Sequence, residues 1–207
     1  MNPQGSAEWK QDRSGKFTGS RFVDALARSK KSNEPLKAYH DLVWDVVVER
    51  LSGEPVEGPL GFALQWGTDV EPFARDAYEL QTGNIVTQSG FIQHPKHDFV
   101  GCSVDGLIGG DGITEIKCPK NSAVHLQRFI DGVPAEYVPQ VQGNLWVTGR
   151  TWCDFVSYDP RMPESHRILI IRVNRDEAKI AEIEAAVLQA EEYAQRLLHE
   201  LIGEKAA

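Results

Sequence analysis

Asp105, Glu115 and Lys117 fall within one stretch, Gly101 to Pro119, that reads as strand, Gly-rich turn, strand. Asp105 closes the first strand, and Glu115-Ile116-Lys117 lies inside the second. Side chains alternate along a strand, so Glu115 and Lys117 share a face while Ile116 points the other way. Two carboxylates beside a hairpin turn make a hard-oxygen site for Mg²⁺, with Mn²⁺ as a substitute. A lysine beside them can hold an attacking water or offset charge on a phosphate. Such a set suits hydrolysis of a phosphodiester. The plainer reading is a solvated hairpin with an ion pair. Against it, the two charges interrupt Ile113, Ile116 and Cys118 in a segment with the character of a buried strand, and charges placed there need a reason.

The elements that would position these groups alternate between helix and strand, which predicts an α/β fold with no internal repeat. Ser20 is placed to cap a helix over 21–31, and a second helix runs over 35–51 with Pro35 in its first turn and Gly53 past its end. Residues 54–61 form a loop. A third helix follows Gly67 and stops at Gly83, with Val70, Phe73, Ala74, Ala77 and Leu80 inward. Strands are predicted at 85–93, 98–104, 113–118, 152–158 and 168–173, with helices at 121–131 and 136–148 between the third and fourth strands. The last helix, 175–202, is amphipathic, and its apolar stripe reads as core packing.

Glu71 lies one turn into the third helix. It can form an i,i+4 ion pair with Arg75, or reach the site as an acid carried by a helix packed on the sheet beside Asp105. In 136–148, Tyr137 and Gln140 share one helix face, and Gln142 and Trp146 another. Glutamines flanked by Val141, Leu145, Trp146 and Val147 need hydrogen-bond partners if buried, and a water or a phosphate oxygen would serve; capping or exposed positions are the plainer alternative.

The 207 residues are enough for one domain with a sizeable core and cramped for two. No apolar run is long enough to span a membrane, and the N-terminal residues lack the apolar centre of a signal peptide. Cys102, Cys118 and Cys153 are odd in number and not spaced for zinc, so they read as buried thiols in a reducing cytoplasm. The net charge of −8 argues against a nucleic-acid partner, but its distribution argues less strongly. Residues 1–37 carry eight Lys/Arg against four acids, and residues 174–207 carry eight acids against four basic residues. A basic DNA-facing surface can therefore coexist with an acidic outer helix.

Taken in order, Trp66-Gly67-x-x-x-Glu71-x-x-Ala74-Arg75, Ser103-x-Asp105-Gly106-Leu107, Glu115-x-Lys117-Cys118-Pro119, Tyr137-x-x-Gln140-Val141-Gln142-x-x-x-Trp146-Val147-Thr148 and Tyr158-Asp159-Pro160-Arg161-Met162 resemble the phage lambda exonuclease family, the YqaJ-type branch of the PD-(D/E)xK nucleases. The resemblance spans roughly residues 9–175. It implies a PD-(D/E)xK core, a central mixed sheet flanked by helices, over a single nuclease domain of residues 1–207. It implies Asp105, Glu115 and the backbone carbonyl of Ile116 as metal ligands, Lys117 as the catalytic lysine, Glu71 as the helix-borne acid and Gln140 as the active-site glutamine. Near the N-terminus, Trp9-Lys10-Gln11-Asp12-Arg13 and Thr18-Gly19-Ser20 fall where the family carries an arginine and a serine for a 5′-phosphate. Arg as a fork and Ser20 at a helix start would suit phosphate, whereas Arg13 in a polar leader is otherwise a surface residue. Ser103, Tyr137 and Gln142 complete the expected DNA contacts.

Two departures stand out. Val104 precedes the Asp, which is sterically harmless, and Trp146 follows Gln142 where the related helicase-nuclease branch places Tyr. The resemblance further implies processive 5′→3′ degradation of double-stranded DNA from its ends to 5′-mononucleotides, leaving 3′ tails. It implies a homotrimeric ring, a single-strand annealing protein as partner, and a phage or prophage origin in the cytoplasm of a bacterial host. A site- or structure-specific endonuclease, or a DNA-end-binding module without catalysis, are the competing readings.

Overall fold

A computed structural model describes residues 2–56 and 62–203. Ser6 opens helix α1 (Ala7–Arg13) by accepting the N–H of Trp9 on its hydroxyl. No residue of α1 is buried, so no apolar stripe announces this helix within the polar leader. Strand β1 (Phe17–Thr18), a 3-10 turn over Gly19–Arg21 and the one-turn helix α2 (Phe22–Ala25) follow. The helix expected over 21–31 stops there because the chain reverses: Ser29 donates its N–H to the Glu34 carbonyl, Asn33 has φ 58°, and Arg28 bridges to Pro35. Ser20 lies inside the 3-10 turn and caps no helix. Helix α3 (Lys37–Ser52) begins after Pro35, buries Tyr39, Leu42, Val43, Val46 and Val47, and ends at Gly53 with φ 74°.

Of the expected loop 54–61, residues 57–61 lie outside the described residues. Helix α4 (Phe62–Thr82) runs through Trp66-Gly67 instead of starting after it. Val70, Ala74 and Tyr78 are its buried stripe, whereas Phe73 and Leu80, expected inward, are 61% and 89% exposed. The roll of the helix is set by Tyr78, whose buried hydroxyl donates to Asp154 at 2.7 Å and needs that partner.

The region 85–93 divides into β2 (Val86–Thr87) and β3 (Ile92–Gln93), which belong to different sheets. Strand β4 (Val100–Cys102) pairs parallel to β1 and antiparallel to β3. The strand that pairs antiparallel with β6 (Gly112–Lys117) is β5 (Gly106–Ile108), not the one at 98–104. Asp105 therefore sits where the chain leaves the three-stranded sheet and enters the five-stranded one. Helices α5 (Ser122–Asp131) and α6 (Val138–Thr148) cross over to β7 (Trp152–Tyr158), which lies parallel to β6. A short helix α7 (Glu164–Arg167), the antiparallel strand β8 (Ile168–Asn174) and α8 (Glu177–Gly203) complete the order. The fold is thus a mixed sheet, β2-β5-β6-β7-β8, flanked by helices.

One face of this sheet packs Ile113, Cys153 and Phe155 with α3, α6 and α8; the other packs Ile116, Val156 and Tyr158 with α4. The stripe of α8 is core, as read, through Ile180, Ile183, Val187, Ala190 and Ala194. The Asp159-Pro160-Arg161 motif is a latch. Asp159 accepts the Arg161 Nε at 2.8 Å, and Arg161 also donates to the Lys120 carbonyl and stacks over Trp66 at 4.6 Å. It ties the end of β7 to the exit of β6 and the start of α4. Among the described residues no helix is long and apolar enough to cross a membrane.

Candidate active site

The alternation along β6 settles which groups meet. Ile116 turns into the α4-side core, and Glu115, 1% exposed, turns beneath α6. Lys117 Nζ and Gln140 Nε2 both donate to Glu115 Oε1 at 2.6 Å, and Asn144 Nδ2 donates to Oε2 at 3.0 Å. Burial pushes the Glu115 carboxyl up to about 7; Lys117 opposes that shift and Asp105 adds to it. Burial disfavours the Lys117 ammonium, but Glu115 and Asp105 outweigh it and hold the pKa above the ordinary lysine value. Lys117 also stands 5.1 Å over the ring of Tyr137, which the 3-10 turn before α6 brings alongside.

Asp105 accepts the Ile116 N–H on Oδ2 at 2.6 Å, and its pKa is raised by burial against the pull of Lys117. The N–H and C=O of one strand residue face the same side, so the Ile116 carbonyl is presented towards Asp105 as well. That side of β6 is open because β5 starts at Gly106, opposite Thr114. Glu71 makes the ion pair of its plainer reading and also lies near Asp105. It pairs with Arg75 at 2.8 Å, and its pKa is raised by burial and then by Asp105, so α4 has brought it into the field of the site.

Asp105 raises both Glu115 and Glu71, and Glu71 also raises Glu115, so hard carboxylate oxygens gather in a field of negative charge that Lys117 and Arg75 only partly offset. Among the described residues no three Asp, Glu, His or Cys side chains come together closely enough to hold an ion by themselves. Mg²⁺ uses one or two carboxylates and keeps several waters, so Asp105, Glu115 and the Ile116 carbonyl fit such a cation.

A second cluster lies on the N-terminal segment. Arg13 donates to Ser103 Oγ at 3.2 Å, Thr18 Oγ1 at 3.1 Å and Ser20 Oγ at 3.5 Å, and stacks over Trp9 at 4.4 Å. Trp9 Nε1 also donates to Ser103 Oγ, at 2.9 Å. Among the described residues no ion pair involves Arg13, and burial lowers its pKa. A guanidinium surrounded by hydroxyls and lacking a carboxylate is a ready anion seat. It opens on a cleft of about 710 Å³ lined by Lys10, Lys16 and Arg21 and also by Asp45, Glu49 and Glu54, with Arg21 paired to Asp45. Ser103 and Asp105 are two residues apart, so the anion seat and the carboxylates adjoin.

Gln142 belongs to neither cluster. It is buried, donates to the Asn174 carbonyl at 2.9 Å and accepts the Asp176 N–H at 2.9 Å, joining α6 to the end of β8 and the turn into α8. His125 and Ser157, 2.8 Å apart, do not form a nucleophile pair. Both side chains are fully buried; His125 donates from Nε2 to the His166 carbonyl at 2.7 Å and Arg128 donates to Ser157 Oγ at 3.0 Å, so the pair lies in a closed internal network that no substrate reaches. Asn144 is the site residue that sequence reasoning missed. It stands four residues after Gln140 on the same helix face, a polar residue directly before Leu145, Trp146 and Val147, and that spacing was the available signal.

The family model of the YqaJ-like viral recombinase domain matches residues 8–151. No curated protein sequence matches the chain. The chain is similar to the alkaline exonuclease of Laribacter hongkongensis, with 38% identity, 97% of this chain and 98% of that one covered, and a TM-score of 0.88. A structure of that protein in complex with dAMP gives 37% identity, the same coverage and a TM-score of 0.89. A phage-related exonuclease from Haemophilus somnus 129PT shares the fold, at 17% identity over 90% of this chain and 96% of that one with a TM-score of 0.72.

Proposed function

We propose that this chain, which belongs to the YqaJ-like viral recombinase family, is a divalent-metal-dependent exonuclease that degrades one strand of linear double-stranded DNA 5′→3′ to 5′-mononucleotides and leaves a 3′ tail. The observation that carries this reading is the convergence of Lys117 and Gln140 on one oxygen of Glu115, beside Asp105. The dAMP held by the relative is a deoxynucleoside monophosphate, the class of product expected.

A divalent cation, when bound by Asp105, Glu115 and the Ile116 carbonyl, supplies Lewis-acid polarisation of a phosphodiester and a lower pKa for water. Lys117 Nζ and Gln140 Nε2 aim at one point, so on leaving Glu115 Oε1 they can orient a water for in-line attack. That attack forms the new P–O bond and breaks the bond to the 3′-oxygen. Glu71, whose pKa is raised by burial and by Asp105, serves as a proton acceptor for the water. Arg13, with Ser103, Thr18 and Ser20, grips the terminal 5′-phosphate, and Tyr137 lines the approach beside Lys117.

The wider reading follows the family. Residues 1–207 act as one nuclease domain, Mg²⁺ is the physiological cation, and the chain works as a homotrimeric ring in a bacterial cytoplasm. A single-strand annealing protein receives the 3′ tail for phage-type recombination. The test is nucleotide release from linear duplex and from covalently closed circular DNA, with Mg²⁺ and with chelator. Release from the linear substrate alone, abolished by chelator, is expected. Cutting of the closed circle would favour an endonuclease, and binding of ends without release would favour a non-catalytic module.

A further inference from the structure

Asn144 is fully buried in the middle of α6 and is satisfied at one end only. Its Nδ2 donates to Glu115 Oε2 at 3.0 Å, while Oδ1 has no hydrogen-bond partner among the described residues. Buried amide oxygens without partners are rare, because an apolar residue in the same place would avoid the penalty. The donor end must therefore matter. Against Oδ1 lies Gly19, where a Cβ would stand 2.1 Å from that oxygen and 3.2 Å from Asn144 Cγ. Gly19 has no left-handed φ that would call for glycine, so the requirement is one of space. Gly19 also joins Thr18 to Ser20, the two hydroxyl residues that face Arg13. The segment carrying the anion seat thus rests on the amide that holds the buried carboxylate.

We propose that Asn144 is a positioning residue for Glu115 and that Gly19 is glycine in order to seat it. Three donors meet Glu115, and two of them, Lys117 and Gln140, occupy the oxygen that a cation and a water would need. Among the described residues Asn144 alone holds the other oxygen, so it fixes the carboxylate while Oε1 exchanges partners. A side chain at position 19 would press on Oδ1 and swing the amide away from Oε2. This inference rests on the reading of Glu115 as a metal ligand.

The test is a double-mutant cycle of Asn144→Ala and Gly19→Ala, read as Mn²⁺ affinity by calorimetry on DNA-free protein, with melting temperature and nucleotide release measured alongside. Asn144→Ala is expected to weaken Mn²⁺ binding about tenfold or more, the usual effect of losing an outer partner of a ligand. Gly19→Ala should do the same in the presence of Asn144 and add less than about twofold in its absence, since the clash has gone. A lowered melting temperature with wild-type Mn²⁺ affinity would make Asn144 merely structural and overturn the proposal. So would an equal effect of Gly19→Ala in both backgrounds. If Asn144→Ala does not fold at the assay temperature, Asn144→Ser, which loses the reach to Oε2 with a smaller change of polarity, carries the same measurement. A wild-type chain that neither binds Mn²⁺ nor releases nucleotides would instead overturn the nuclease reading, and this inference with it.

Discussion

Lys117 and Gln140 reach Glu115 Oε1 from different elements, β6 and α6, each at 2.6 Å. One carboxylate oxygen thereby serves an ammonium and an amide at once, and both must give way when a cation approaches. On the proposed reading Lys117 competes with the metal as well as orienting the water. Lys117→Ala should lower the single-turnover rate by about 10²–10³-fold, the usual loss for one positioned electrostatic group. Mn²⁺ affinity should stay near wild type or tighten. A collapse of affinity in calorimetry would give Lys117 a structural role and remove it from the chemistry.

Asp105→Asn tests the first ligand without disturbing shape. The amide oxygen can still accept the Ile116 N–H, while the charge that burial penalises is gone. The melting temperature should therefore hold or rise as metal-dependent hydrolysis disappears. Robust release of nucleotides by this variant in Mg²⁺ would sink the assignment of Asp105.

The anion seat predicts a preference for phosphorylated ends. An Arg–phosphate contact that is partly desolvated is worth roughly 1.5–3 kcal/mol, so the wild-type chain should degrade 5′-phosphorylated duplex about tenfold or more faster than 5′-hydroxyl duplex. Arg13→Ala should erase most of that ratio and leave the slow rate on hydroxyl ends nearly unchanged. Equal slowing on both substrates would make Arg13 a general backbone or folding residue and move the search to Lys10, Lys16 and Arg21, which line the same cleft.

Gln142 should behave as a fold residue. Both ends of its amide are taken by backbone groups of Asn174 and Asp176, and Gln142→Ala leaves them buried without partners. Stability should fall by roughly 1–3 kcal/mol in urea unfolding, with the end preference intact. A changed preference at unchanged stability would return Gln142 to the DNA interface.

The active-site strand was legible in the sequence because its charges break an apolar alternation that period-2 geometry translates directly into faces. Glu115, Lys117 and Ile116 are placed as that rule requires, and Gln140 joins them from the helix face it was read on. What escaped was set by contacts distant in sequence. The hairpin partner of β6 is β5, because the chain changes sheets at Asp105 within three residues, too short a break for strand patterning to register. Helix α1 buries nothing, so hydrophobic period cannot find it. The outward turn of Phe73 and Leu80 follows from the bond of Tyr78 to Asp154, residues 76 apart in the chain. Gln142 looked like Gln140 in sequence, and only the arrival of the β8–α8 turn, with the backbone of Asn174 and Asp176, separates it from the amide that meets Glu115.

The latch at Asp159 gives a pH dependence whose sign can be worked out. Burial alone would raise the Asp159 pKa, but hydrogen bonds from Arg161 and Ser122 outweigh it and bring the group down to about 2. A depressed folded-state pKa adds stability above the unfolded value, about 3.9, and that stability is lost as the pH falls through the folded value. Arg161 is partly exposed, so solvent screening reduces the contribution to roughly 1–2 kcal/mol. Glu115, raised to about 7, has the opposite sign in the metal-free protein: its contribution is present in acid and lost as the pH rises through 7. The two are separable because they act in different windows. Asp159→Asn should lower the stability in urea at pH 7, and the gap to wild type should close between about pH 4 and pH 2. A gap that stays constant to pH 2 would mean that Asp159 acts through packing alone, and that the charge of the Asp159–Arg161 latch does not help to hold β7 against α4.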